Sequence, residues 1–304
     1  MRNVIKYLNL IWLMALPWMS HAQQDPLYSQ YLNNPVLLNA AYTGANDRLN
    51  VVAGYRLQWA GFDGSPTTLN FSAHTSLVQN KVGAGIVIVQ DKIGDTKITE
   101  TSSSYAYKIK LNNDRVLSFG LLAGMINYRN DAARLNPKDA GDPLFGLINE
   151  TKFNLGAGIL LKSDRFMVGL SAPRLMPVTV NPSSAQQVEV YNQTFYLMGA
   201  YLILLTESIR LKPSVLLRAT ANAPLSADIN FNLNLEQNYT LGLFTRNFNV
   251  LGLLAQLDIK DYRIGYVFEV PTNASVGTRF TTHEFSIAMS LAVFGFHSSE
   301  KSTF

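Results

Sequence analysis

The sequence contains no cysteine and, after its first 22 residues, no long apolar run. Without cysteine there is no disulfide framework and no thiolate metal site. No later segment approaches the roughly 18 consecutive apolar residues of a membrane-spanning helix. These absences exclude a helical membrane protein and leave hydrogen-bond ladders and packing to hold the fold.

Charged residues are also few. Asp, Glu, Lys and Arg make up 15% of the 304 residues, and the formal net charge is +4. The Arg and Lys side chains are scattered along the chain, so nucleic acid is not an expected partner. A mean hydropathy near zero with so little charge is unusual for a soluble protein. It is natural for a membrane β-barrel, in which a polar lumen and polar loops dilute an apolar band.

The first 22 residues have the pattern of a secretory signal peptide. Arg2 and Lys6 give a basic start, residues 7–19 are mostly apolar, and Ser20-His21-Ala22 is a small-x-small cleavage site. The apolar stretch is too short to span a membrane as a helix. We therefore predict export, with cleavage after Ala22.

The clearest local pattern is a strict alternation over residues 225–236. A β-strand sends successive side chains to opposite faces, so an alternating segment has one apolar and one polar face. The apolar face carries Leu225, Ala227, Ile229, Phe231, Leu233 and Leu235; the polar face carries Ser226, Asp228, Asn230, Asn232, Asn234 and Glu236. Similar strands fill the chain, and several have small or polar residues on one face. The pattern predicts an all-β, transmembrane outer-membrane β-barrel.

The alternation predicts about 14 antiparallel strands, an even number as in bacterial barrels. The predicted strands are 48–60, 66–77, 81–91, 97–110, 116–128, 151–161, 165–172, 191–205, 208–219, 225–236, 239–246, 250–258, 261–270 and 282–294.

The predicted connections alternate in length. Every second one is short, whereas the others include 129–150, 173–190 and 271–281. Because such barrels have short periplasmic turns and longer outer loops, we predict that both termini lie in the periplasm. The barrel would cover residues 48–296, with a carboxy-terminal tail at 297–304.

An irregular leader precedes the first strand. Residues 23–47 do not alternate and include Pro26, Pro35 and several Asn and Tyr residues. A segment of this length without regular structure is usually functional or packed against something. We expect it to be a periplasmic leader that packs in or across the periplasmic mouth of the barrel.

The polar faces of the strands are the candidate binding surface. We predict that a partner contacts polar lumen residues, namely Asp228, Asn230, Asn232, Asn234, Glu236, Arg263 and Glu269. This row could equally form a permeation path or merely hydrate the lumen. Close packing on the lumen face is the expected role of Gly83-Ala84-Gly85 and Gly156-Ala157-Gly158.

Motifs for catalysis and cofactor binding are missing. His283-Glu284 begins like a zinc-protease motif, but Ile287 stands where a second His is needed. We predict no enzyme activity, no cofactor and no metal. An enzyme using His74 or His283 as a base, built from distant strands, is a remaining alternative.

Two further motifs are long enough to be specific. The first runs through the leader and first hairpin and includes Asp25, Pro26, Tyr31, Asn34, Pro35, Tyr42, Gly44, Tyr55, Arg56, Gln58, Trp59, Gly61 and Pro66. The second is His283-Glu284, at the start of the last strand. Together they resemble the PorP/SprF family, and the similarity covers essentially the whole mature chain.

The resemblance implies an outer-membrane barrel of the type IX secretion system or the linked gliding machinery of Bacteroidota. Some members of that family associate with a periplasmic ring lipoprotein. Others serve the secretion and surface attachment of large adhesins through the adhesin's C-terminal domain. The expected partners are therefore outer-membrane lipids, the C-terminal domain of a secreted cargo protein and, as a further candidate, the ring lipoprotein.

The resulting hypothesis is a non-enzymatic barrel that receives a cargo C-terminal domain through its outer loops and polar lumen. The main rival is an outer-membrane transport channel for small or hydrophobic solutes, with the amino-terminal segment plugging the lumen. The motif residues could also be purely structural. In that case Gly61 and Gly64 would form the hairpin turn, and Tyr55, Arg56 and Trp59 would pack in the lumen.

Overall fold

The computed structural model describes residues 28–112, 114–131, 147–183, 186–272 and 280–298. The predicted signal peptide and its cleavage site, and the motif residues Asp25 and Pro26, lie outside these ranges. Among the described residues, no helix is long and apolar enough to cross a membrane.

The described chain is almost entirely β-structure. Two short 3-10 helices, η1 (Pro35–Leu37) and η2 (Ala40–Tyr42), precede the strands. The strands are β1 (Leu49–Ala60), β2 (Thr67–Leu77), β3 (Val82–Ile93), β4 (Thr96–Lys110), β5 (Val116–Asp131), β6 (Leu147–Lys162), β7 (Phe166–Arg174), β8 (Val178–Ser183), β9 (Gln186–Tyr191), β10 (Thr194–Tyr201), β11 (Ile203–Leu204), β12 (Ile209–Thr220), β13 (Ser226–Leu235), β14 (Tyr239–Arg246), β15 (Val250–Ile259), β16 (Tyr262–Pro271) and β17 (Thr281–Leu291).

The wall of the molecule is a closed antiparallel barrel. Each strand pairs with its sequence neighbours, β1 pairs with β17, and β10 pairs with both β7 and β12. β10 and β11 follow one another in a single wall position and both pair with β12. The barrel therefore has 14 wall strands, which confirms the predicted fold. Closure suits a membrane because lipid offers no partner for unpaired backbone groups.

The two faces of the wall follow the sequence alternation. On β13, Asp228 and Asn230 point inward and are buried, whereas Phe231 between Asn230 and Asn232 is 51% exposed on the outside. Leu121 and Ile287 are likewise exposed on the outer face. Outward apolar side chains on neighbouring strands form the band that lipid covers.

The connections differ between the two ends of the barrel. At one end, here called the short-turn end, the connections are 78–81, 111–115, 163–165, 205–208, 236–238 and 260–261. The opposite end, here called the long-loop end, carries residues 61–66 and 175–193 among its connections. The short connections therefore lie at one end and the longer ones at the other, as the alternation of connection lengths in the sequence predicts.

Two sequence expectations need correction at the long-loop end. The predicted loop 173–190 contains the β8–β9 hairpin, and the predicted strand 191–205 is interrupted at Leu202. The hairpin side chains Val178 and Val180 are buried against Ile126, which points into the barrel from β5. The hairpin therefore folds inward over the long-loop mouth. Apolar residues facing inward on β5 need a cover, and the hairpin provides it.

The boundary between β6 and β7, here called the seam, has a much shorter hydrogen-bond ladder than the boundary between β5 and β6. All 16 residues of β6 pair with β5, but only 157–162 pair with β7. One further backbone bond joins the Leu175 amide to the Leu155 carbonyl at 2.9 Å. On that side, residues 147–153 have no ladder partner among the described residues.

This seam should open before the rest of the wall. In β6 the amides of Ile159 and Leu161 point across the seam, whereas those of Gly158 and Leu160 point to β5. Because a short ladder opens more readily than a long one, we expect the first pair to exchange hydrogen about tenfold faster. Residue-resolved hydrogen exchange of the folded barrel measures this, with each even-numbered amide as the internal control. Equal protection on both sides of β6 would contradict it.

Candidate functional site

The lumen is filled by the described part of the leader. Tyr28 lies in the long-loop half beside Glu100 and Arg174, near the long-loop ends of β4 and β7. The chain then descends through η1 and η2 to Arg48, which donates to the Ser298 carbonyl at the short-turn end (3.0 Å). Residues 28–47 thus run the length of the lumen, deeper than the mouth packing expected from the sequence. The periplasmic position of the amino terminus stays a prediction.

Two inward glycines let the leader approach the wall closely. A Cβ at Gly120 on β5 would overlap the Ala41 backbone, and a Cβ at Gly83 on β3 would overlap the Thr43 carbonyl. Any larger side chain would push the leader out of its seat. This confirms the packing role expected for Gly83-Ala84-Gly85.

A buried ion cluster holds the upper part of the leader. Arg56, 3% exposed, donates to Glu269 at 2.7 and 2.9 Å and to Glu284 at 3.0 Å. Glu284 accepts the backbone amides of Ser29 (3.0 Å) and Gln30 (3.1 Å). The Ser29 hydroxyl bonds to Glu269 and accepts from Arg56 at 2.9 Å. Glu284 therefore binds the leader backbone directly, whereas Glu269 and Arg56 bind the Ser29 hydroxyl.

A second arginine extends this cluster. Arg246 on β14 pairs with Asp228 at 2.8 Å and donates to the Ser29 hydroxyl at 3.3 Å. The cluster then contains two arginines and three carboxylates. Burying charges is costly unless they are paired and hydrogen-bonded, and the leader supplies donors for the excess carboxylate. The leader thereby becomes part of the wall's charge balance.

Amide and hydroxyl contacts continue along the leader. The Tyr31 hydroxyl accepts from Asn230 at 2.9 Å, and Asn33 accepts from Arg263 at 3.0 Å. Asn34 accepts from the Ser72 hydroxyl at 2.7 Å. Burial raises the pKa of the Tyr42 hydroxyl to about 12, so it stays neutral. It donates to Asn46 at 3.0 Å.

Two lysines, Lys108 and Lys162, fix the lower end of the leader. Lys108 donates to the Gly44 carbonyl (2.6 Å) and Asp47 (2.5 Å), and Lys162 donates to the Ala45 carbonyl (2.9 Å). Below them a cavity of about 900 Å³ opens at the short-turn end. The cavities beside the leader are much smaller, at about 20, 80 and 20 Å³. Such volumes hold a few water molecules at most.

The predicted lumen residues are not equivalent. Asp228, Asn230, Arg263 and Glu269 contact the leader or the side chains that bind it, as described above. Asn234 bonds within the wall to Thr240 at 3.1 Å, and Glu236 lies exposed in the turn after β13. Asn232 is buried on the wall facing Gly242. Binding of a partner by these residues stays a prediction.

The two sequence motifs meet in one place. Glu284 from the last strand binds Ser29 and Gln30 of the leader, and Arg56 from the first hairpin joins them. His283 faces outward instead, where it bonds to the Tyr266 hydroxyl at 2.8 Å. His74 accepts the Gly44 amide at 3.1 Å, a structural contact with the leader.

The remaining motif residues shape the first hairpin. Trp59 and Gly61 have positive φ angles of 56° and 92°, and Gln58 donates to the Pro66 carbonyl at 2.9 Å. Tyr55 is 39% exposed on the outer face, so its expected lumen packing is wrong. The alternation of β1 explains this, because Tyr55 and Arg56 must point to opposite sides.

Sequence reasoning missed several residues that hold the leader. They are Arg246, Lys108 and Lys162, and each is a charged residue at an inward position of an alternating strand. Their inward position in the strand alternation could have identified these residues from the sequence. No sequence pattern indicates that the leader is their partner.

Comparisons with known proteins agree with this fold. Residues 20–289 match the family described as type IX secretion system membrane protein PorP/SprF. No curated protein matches the chain.

The similar solved structures are barrels at low identity. CymD, a monoaromatic hydrocarbon channel, has a TM-score of 0.51 and 9% identity, over 89% of this chain and 95% of that one. The outer membrane protein Omp33 of Acinetobacter baumannii has a TM-score of 0.48 and 8% identity, over 82% of this chain and 100% of its own. A TodX deltaS2 mutant has a TM-score of 0.49 and 10% identity, over 86% and 94%. At such identities only the fold is shared.

Removing the central arginine should destabilise the barrel. Arg56→Gln leaves Glu284 buried without a cation and Glu269 with only the Arg246 guanidinium, 3.9 Å away, so we expect the free energy of unfolding to fall by about 3–5 kcal/mol. The double variant Arg56→Gln/Glu269→Gln should recover part of the loss, because one buried carboxylate is also removed. Urea unfolding of the barrel in lipid vesicles measures both.

Arg263→Gln is the matched control. Its ion pair with Asp258 is 36% exposed on the arginine side, so its loss should cost at most about 1 kcal/mol. Equal losses for Arg56→Gln and Arg263→Gln would refute the central role of the buried cluster.

Proposed function

This chain belongs to the PorP/SprF family of type IX secretion system membrane proteins, and we propose that it serves that system as a non-enzymatic outer-membrane barrel that docks a protein partner. The partner at the long-loop end is the C-terminal domain of a secreted surface adhesin, which the barrel helps to secrete and attach. A periplasmic ring lipoprotein is the candidate partner at the short-turn end. Residues 1–22 act as the signal peptide in this proposal.

The filled lumen is the observation that carries the proposal. The leader binds the inner wall along its length, and the β8–β9 hairpin covers the long-loop mouth. A barrel closed by its own chain is suited to hold something at its ends rather than to pass solutes through. Asn230, Arg263 and Glu269 of the polar lumen set are engaged by the leader, so the proposed cargo contact lies at the long-loop end.

The edge of β6 over residues 147–153, which has no ladder partner among the described residues, is a docking feature at that end. Strand alternation directs the N–H and C=O groups of Asn149, Thr151 and Phe153 away from β5, the same direction in which the Leu155 carbonyl meets Leu175. An unpaired edge of this kind accepts an extended peptide as an added strand. We propose that a strand of the cargo C-terminal domain pairs with residues 147–153.

A proline at the edge tests this pairing. Thr151→Pro removes an N–H that points to the open edge and leaves the β5–β6 ladder intact, since edge prolines are tolerated in that orientation. We expect recovery of cargo to fall at least about tenfold, because the added strand loses a central hydrogen bond. Affinity purification from native outer membranes in mild detergent, with mass spectrometry, measures recovery.

Thr151→Val is the control, since it removes the hydroxyl but keeps the N–H, and it should retain cargo. Retention of cargo by Thr151→Pro at the wild-type level would reject the edge as the docking site. Recovery of the ring lipoprotein without any secreted protein, even from the wild type, would instead favour a role in the core secretion machine. A barrel that purifies alone would favour a channel.

A transport channel for small or hydrophobic solutes is the second candidate. CymD, of similar fold, is described as a monoaromatic hydrocarbon channel. The feature that favours a channel is the polar inner wall beneath the leader, with Asp228, Asn230 and Asn232 on one strand. Such a wall would line an aqueous path if the leader left the lumen.

Displacing the leader separates the two candidates. Gly120→Val places side-chain atoms where the Ala41 backbone lies, so the leader must leave its seat, and single-channel conductance in planar bilayers should appear. The wild type should conduct little, because the lumen is filled. Gly199→Val, at an outward position where a Cβ would make only an ordinary contact with Val215 at 3.7 Å, is the control and should behave like the wild type. Large steady conductance by the wild type would support the channel.

A further inference from the structure

Three cations stand side by side on the outer wall at the long-loop end. In the strand registers, Lys92 on β3 lies directly opposite Lys97 on β4, and Lys97 lies directly opposite Arg129 on β5. All three side chains are exposed, whereas the adjacent residues Asp91 and Ile98 are buried. The row therefore points away from the lumen, towards the membrane side of the wall.

Such a row is electrostatically unfavourable by itself. Like charges directly opposite one another on neighbouring strands destabilise a sheet. Asp95 and Asp131 line the same groove. Yet within the described part of the chain, no ion pair joins Lys92, Lys97 or Arg129 to a carboxylate. An anion from outside the described residues would neutralise the row.

The position of the row relative to lipid identifies the class of anion. Ile88 on β3 and Met125 on β5 lie on the same outward face, four residues along their strands from Lys92 and Arg129. They are 36% and 60% exposed in the apolar band. At about 3.4 Å per residue and a tilt near 40°, this places the cations roughly 10 Å beyond those lipid-facing side chains. That height corresponds to the headgroup layer, which adds some 5–8 Å to each side of the hydrocarbon core.

The polar side chains between the two levels complete a groove. Gln90, Thr99 and Asn127 occupy the intermediate outward positions, and together with the cations they line a shallow groove of about 500 Å³. The groove thus carries the three cations with Asp95 and Asp131 at its upper rim, is uncharged and polar below them, and is continuous with the apolar band. An anionic headgroup with its acyl chains against the band has the same order of features.

We infer that Lys92, Lys97 and Arg129 form a binding site for the phosphate group of an anionic membrane lipid in the leaflet at the long-loop end. The lysines act as point charges, and the Arg129 guanidinium can bind two phosphate oxygens at once. This site fixes the height and rotation of the barrel in the membrane. It does not depend on the proposed partner of the barrel.

The test compares two matched triple variants of the full chain in detergent micelles. K92Q/K97Q/R129Q removes the row, and K81Q/R165Q/K260Q removes two lysines and one arginine that are exposed at the short-turn end. Each is titrated with dioctanoyl phosphatidic acid, dioctanoyl phosphatidylcholine and inorganic phosphate, and binding is followed by calorimetry. Heat-modifiable gel mobility verifies that each variant is folded.

We expect the wild type and the short-turn variant to bind phosphatidic acid with the same Kd. Because each basic residue near an anionic surface contributes roughly fivefold to affinity, K92Q/K97Q/R129Q should bind on the order of 100-fold more weakly. If that triple variant fails to fold, K97Q alone, which removes the central cation, should bind about fivefold more weakly.

Four results would overturn the inference. Equal weakening in both triple variants would mean a general charge effect, and unchanged binding in K92Q/K97Q/R129Q would mean that the row is not the site. Phosphatidylcholine binding as tightly as phosphatidic acid would mean that only the acyl chains are recognised. Inorganic phosphate displacing the lipid at equal concentration would mean a site for free anions rather than for a membrane lipid.

Discussion

The buried pairing of Arg56 with Glu269 and Glu284 is the interaction on which the arrangement of this barrel depends. The outer face of a membrane barrel is covered by lipid, so charged residues of the wall strands must point inward unless they lie at an end. Once inside, each charge needs a partner, because its burial is costly. The wall carboxylates exceed the arginines in this cluster, and the Ser29 and Gln30 amides of the leader complete their hydrogen bonding.

The position of the leader follows from this requirement. A polar lumen of 14 strands is wide enough for water, and an irregular segment with several Asn and Tyr side chains can take over the hydrogen bonds of that water. Gly83 and Gly120 remove the side chains that would keep the leader away from the wall. Lys108 and Lys162 then fix residues 44–47 at the short-turn end. Leader and wall are in this sense one hydrogen-bonded structure.

The long-loop end has a different character. The β8–β9 hairpin packs by apolar contacts with Ile98 and Ile126, and the buried Arg174 guanidinium lies over its Tyr191 ring, 3.9 Å from the ring centroid. The neighbouring strand β6 extends beyond its short pairing with β7. The backbone N–H and C=O groups of that extension that point away from β5 have no ladder partner among the described residues. Cations line the outer wall of the adjacent strands. The surfaces open to other molecules therefore concentrate at this end, whereas the lumen is used for internal stability.

The sequence by itself determined the all-β barrel, its 14 strands, the side of the wall on which most residues point and the difference between its two ends. These properties depend on the period-2 alternation of side chains and on local turn length, which are both readable along the chain. Even the family motifs at Arg56 and Glu284 were recognisable. Only the tertiary structure decided that those motifs meet around Ser29, that the leader fills the lumen, and that residues 178–191 form a cover. Contacts between residues more than 200 positions apart, such as Ser29 with Glu284, have no local periodicity and depend on closure of the whole ring.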